Sequence, residues 1–139
     1  MNIHIDERTL KIEGHPLEYD AYYFDADEYA GLSNSEVLKV LLSQWAKAIS
    51  ESAAGQMLYL PFSFDDEYVE CVEADVAGDK VSLRHVWVRE NGYAVDVVNL
   101  SAFMATSHEI NSMSPNRPLG VYGREELVSA LLNPTVGDA

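Results

Sequence analysis

A chain of 139 residues that is 47% apolar and 10% aromatic has enough material for one domain with a real core, and too much for a disordered segment. Its formal charge of −14 excludes the basic surface that nucleic acid or anionic lipid requires. No run approaches the ~18 apolar residues of a membrane span.

Met1-Asn2-Ile3-His4-Ile5-Asp6-Glu7 has neither the basic start nor the apolar run of a secretory signal, so a cytoplasmic protein is expected. Ile3 and Ile5, then Leu10 and Ile12, alternate with polar residues and predict a short hairpin, which His15-Pro16 interrupts. Residues 19–24 hold enough aromatics for another strand, and 25–31 read as an acidic loop.

The clearest helix signal starts at Ser33. Ser33-Asn34-Ser35-Glu36 fits a capping box, and Val37, Leu41, Trp45 and Ala48, with Leu38, Leu42 and Ile49, follow helical spacing. The helix is expected over 34–52, with Gly55 as its stop. From Gln56 the period becomes two. Leu58 and Leu60 run into Pro61, which points to a strand end or an edge. Residues 67–98 predict a three-stranded antiparallel meander. It turns first at Gly78-Asp79 and then at Asn91-Gly92, and Tyr93, Val95 and Val97 lie on the return strand. The serines and prolines of 101–119 favour a loop, and 123–132 a short helix ended by Pro134. The expectation is one α+β domain over 1–134, with a flexible tail over 135–139. Its mostly antiparallel sheet, of about five or six strands, carries one long helix on one face, with a short C-terminal helix beside it.

The negative charge is concentrated. Residues 1–31 carry eight acids against Arg8 and Lys11, and residues 61–79 carry seven acids and no base. Such a field favours a cationic partner. In the second block, Asp65, Asp66, Glu67 and Glu70 form an acidic rim, and Tyr59, Phe62, Phe64 and Tyr68 supply the aromatic contacts that interface hot spots favour. In the first, Tyr22, Asp25, Asp27 and Glu28 belong to a stretch with five aromatics and four acids in eleven residues, 19–29.

Other chemistry is poorly provided for. Asp25-Ala26-Asp27-Glu28 lacks the glycine turn and terminal Glu of a Ca²⁺ loop, and His4, His15, His85 and His108 have no zinc spacing. Cys71 is the sole cysteine, so no intrachain disulfide forms. Cys71 and His85 can meet across the Gly78-Asp79 hairpin, but Glu70 and Glu73 beside the thiol would suppress its reactivity. No Gly-x-Ser-x-Gly elbow or glycine-rich phosphate loop is present, so no catalytic residue, cofactor or metal is expected. Lys80, Arg84 and Arg89 are expected to offset acids on neighbouring strands.

Leu60-Pro61-Phe62-Ser63-Phe64-Asp65-Asp66-Glu67-Tyr68, following a long helix, is similar to a motif of uncharacterised bacterial proteins of this size. Small acidic proteins of that kind resemble immunity proteins of contact-dependent and polymorphic toxin systems. The resemblance implies a non-enzymatic binding protein that neutralises a toxin, and it carries over no catalytic residue; the acidic surface adds the expectation that the toxin is basic and is held by stoichiometric occlusion. Two other functions stay open at this point. One is a structural or assembly protein acting as a homodimer. The other is a hydrolase-like enzyme with a carboxylate or Cys71/His85 site.

Overall fold

The computed structural model describes residues 1–20, 31–65, 67–89 and 100–137. The fold is α+β, with one long helix, and its strands divide between two four-stranded sheets rather than one. β1 (Ile3–Ile5), β2 (Thr9–Ile12) and β3 (His15–Glu18) form an antiparallel meander. β8 (Thr135–Val136) adds to β1 in parallel, completing the order β3-β2-β1-β8. The expected interruption at His15-Pro16 is therefore a third strand. Glu13 and Gly14 hold φ of +48° and +82°, the mirror-image turn that matches strand twist, and Pro16 sits on an edge strand, where its missing N–H leaves no internal gap. The start of the expected flexible tail is likewise ordered. Gly137 N–H donates to the Ile5 carbonyl at 2.8 Å, and His4 Nδ1 lies 2.9 Å from Thr135 Oγ1.

α1 (Asn34–Glu51) has the expected capping box: Glu36 N–H donates to Ser33 Oγ at 3.2 Å, and Ser33 N–H to Glu36 Oε1 at 3.1 Å. Such a cap contributes about 1 kcal/mol. The helix buries Val37, Leu38, Leu41, Leu42, Trp45, Ala46 and Ile49, and Trp45 Nε1 donates to the Pro61 carbonyl at 3.2 Å. Its last turn has no base of its own. Arg124 supplies one from the start of α3 (Arg124–Leu132), donating to the carbonyls of Ile49, Ser50 and Ser52. The guanidinium thus adds a charged donor at the carbonyls of the helix end, where Ile49 also accepts from Ser52, and meets the negative end of the helix dipole. α3 buries Leu127 and Leu131 but leaves Leu132 exposed.

The large sheet has the order β4-β5-β6-β7: β4 (Met57–Phe64), β5 (Val69–Ala77), β6 (Lys80–Val88) and β7 (Arg117–Gly123). The β5–β6 hairpin turns at Gly78-Asp79 as expected, with Gly78 at φ +69°, where a side chain would be strained. The return strand over 93–97 lies outside the described residues. The other edge of β6 is taken by β7, in a stretch the sequence assigns to a loop and a helix start. Beyond β7, Arg89 N–H donates to the Glu109 carbonyl and Asn111 N–H to the Trp87 carbonyl, so the end of β6 is held by 109–111. A short helix, α2 (Ser101–Ala105), precedes this segment and packs near β4.

Register sorts the side chains of the large sheet into two faces. Leu58, Leu60, Val72, Ala74, Val76, Val81 and Leu83 share the face covered by α1 and α3, and all are buried. The opposite face is buried at one end, through Phe64, Val69, Cys71, Val86 and Val88. One core cluster joins these residues to Ile3, Ile5, Leu10, Ile12 and Leu17 of the small sheet.

Candidate functional site

The β4–β5 hairpin ends in a tight tip, where Asp65 N–H donates to the Tyr68 carbonyl at 2.9 Å. Asp65 and Glu67 are exposed there, and Tyr68 and Glu70 are half-buried beside them. Asp66, Tyr22, Asp25, Asp27 and Glu28 lie outside the described residues.

Phe62 and Phe64 must be reassigned. They are 0% and 3% exposed and belong to the core, so neither can anchor a partner. β4 is buried on both faces, and its register against β5 shifts between Pro61 and Ser63. The bulge adds a residue on β4, so Phe62 and Phe64 do not follow simple alternation. Tyr59, also expected at the rim, is buried, and its ring meets His108 edge-on at 5.2 Å. Burial, then the nearby Glu73 charge, raises its phenol pKa.

The aromatic residue beside Tyr68 is Trp87, not Phe62 or Phe64. Tyr68 stacks on Trp87 with ring centroids 4.3 Å apart and planes 12° from parallel. The indole N–H of Trp87 donates to Glu70 Oε1 at 3.1 Å, and His85 Nε2 lies 3.1 Å from the same oxygen. His85 in turn tilts against the Phe62 ring at 5.3 Å. The Trp87 backbone is fixed as well, its N–H donating to Ser114 Oγ at 2.7 Å. The result is a rigid aromatic pair with carboxylates at its margins. Burial, followed by the charges of Asp65 and Glu70, raises the Tyr68 pKa, so its hydroxyl stays protonated beside the acids.

Tyr68 and Glu70 belong to the acidic block expected here, whereas Trp87 and His85 reach it from the neighbouring strand and are not expected there from the sequence. The signal was present: a two-residue turn at Gly78-Asp79 fixes Glu70 opposite Trp87 and Val72 opposite His85. The same register separates Cys71 from His85. Cys71 pairs with Val86 and points to the other face, so the two cannot form a nucleophile–base pair. The thiol is buried, and burial first, then Glu70 and Glu73, raises its pKa well above the ordinary value, which keeps it protonated.

The expected offsetting of strand acids holds for Arg84, 2.5 Å from buried Glu73 across β5–β6, whereas Arg89 meets Glu109, 3.0 Å away and outside any strand. Among the described residues no group of three or more His, Cys, Asp or Glu is placed to hold a metal, and no helix is long and apolar enough to cross a membrane.

A scan against protein-family models finds none that matches, and searches of curated proteins and of solved structures return no match either.

Proposed function

We propose that this protein is a non-enzymatic, acidic binding module that occludes a basic protein partner, in the manner of an immunity protein neutralising a toxin. The observation that carries the reading is the Tyr68–Trp87 stack, held by Glu70 and bordered by exposed Asp65 and Glu67. Tyr and Trp dominate interface hot spots because they present a large rigid surface at little entropic cost. The carboxylates suit lysine and arginine on the partner, and a guanidinium can also lie against an exposed ring. The charge of −14 supplies long-range steering toward such a partner.

Affinity capture from a lysate of the producing cells at low salt, eluted with a salt gradient, tests this. Wild type is run beside Trp87→Ala and beside the double variant Asp65→Asn/Glu67→Gln. The expected result is one basic protein, held stoichiometrically by wild type, released as salt rises, and lost earlier from both variants. A partner retained equally by all three baits would contradict the assigned surface. Absence of any basic partner would contradict the function.

A further inference from the structure

The half of the large sheet's second face that the core does not cover is an open cleft of about 410 Å³. Two cross-strand rows build it. The outer row runs Met57, Asp75, Ser82, Val121, and the inner row places the Glu73–Arg84 pair beside it. Met57 and Val121 are 38% and 63% exposed, so the outer row has two apolar ends in water and an acid and a hydroxyl between them. The backbone of Asp75 is paired on both sides in the sheet, but among the described residues its carboxylate has no hydrogen-bond or ion-pair partner. Arg84 pairs with Glu73 through one terminal guanidinium nitrogen while its buried Nε has no hydrogen-bond partner among the described residues, and the charges of Glu73, Asp75 and Arg84 together leave the cleft with one net negative charge.

This arrangement selects its occupant. An anion would face Asp75 unpaired, and a purely apolar group would strip water from Asp75 and Ser82 without replacing it. A second copy of the chain would bring its own charge of −14. A long basic side chain satisfies every part, its methylene stem along Met57 or Val121 and its head on Asp75 and Ser82. We infer that the cleft is a second docking site, which takes a lysine or arginine side chain from the partner. The inference rests on the proposed function, because it assumes a basic protein partner, but it concerns a surface separate from the Tyr68–Trp87 stack.

The test is an amide chemical-shift titration of the isotope-labelled full chain with the peptide acetyl-Val-Arg-Val-amide, with citrulline replacing arginine as the neutral control. The expected result is shifts at Asp75, Ser82 and Val121 that citrulline does not reproduce. Asp75→Asn should weaken the response about two- to fivefold, the range of a solvent-exposed ion pair. Val121→Ser should also weaken it, by removing the stem contact. Shifts confined to Asp65, Glu67 and Tyr68 would overturn the cleft while leaving the proposed function standing. An equal response to citrulline, or no response in the cleft, would overturn it too, whatever the lysate capture shows.

Discussion

Glu70 Oε1 accepts a hydrogen bond from the Trp87 indole N–H at 3.1 Å, across a register pair of the β5–β6 hairpin. This contact turns a strand acid into the support of an aromatic surface. Replacing Glu70 by leucine would leave the indole N–H and His85 without their acceptor in a partly buried place. Glu70→Leu should therefore lose about 1–3 kcal/mol of stability, and Glu70→Gln, which keeps an acceptor oxygen, clearly less. Urea denaturation of the two variants checks the ordering.

Arg124 joins the end of α1 to the start of α3. Arg124→Met leaves the carbonyls of Ile49, Ser50 and Ser52 without this donor and should cost about 1.5–3 kcal/mol, the range for hydrogen bonds to a charged group. Arg124→Lys should recover part of the loss, because an ammonium cannot reproduce the planar fork that spans several carbonyls. Thermal melts followed by far-UV circular dichroism give both values.

Tyr19 supplies a pH signature. Its hydroxyl donates to the Asp6 carbonyl at 2.7 Å, and burial pushes its pKa from 10.0 up to about 12. The folded state thus keeps the proton that the unfolded chain releases first. The associated stability is complete below pH 10 and is lost as pH rises from there to about 12. Tyr19→Phe should flatten this part of the stability profile and cost about 1 kcal/mol at neutral pH for the missing hydrogen bond. Denaturant titrations at stepped alkaline pH measure the difference.

What could be read from the sequence was local. The Ser33 to Glu36 box and the apolar spacing from Val37 to Ile49 specify α1 within one turn of chain, and Gly78-Asp79 specifies the β5–β6 hairpin. β7 was hidden because Pro115, Asn116 and Pro118 resemble loop residues, yet an edge strand tolerates Pro118, opposite Arg84 at a register shift. Phe62 and Phe64 were misplaced for a related reason. A strand buried on both faces shows no alternation, so its aromatics cannot be sorted into inward and outward sets from spacing. Half of the Tyr68–Trp87 cluster, Tyr68 and Glu70, lies in the acidic block itself. The other half, Trp87 and His85, arrives through strand pairing, and its fixation by Ser114 depends on a contact 27 residues along the chain.

On the proposed function, the acids at the β4–β5 tip steer a basic partner onto the Tyr68–Trp87 stack. The most direct measurement is the association rate with the captured partner as a function of ionic strength, for wild type and for Asp65→Asn/Glu67→Gln. Steering by these acids requires wild type to associate several-fold faster at low salt, with a steeper salt dependence, while the two dissociation rates stay close. Superimposable association rates at every ionic strength would contradict the account.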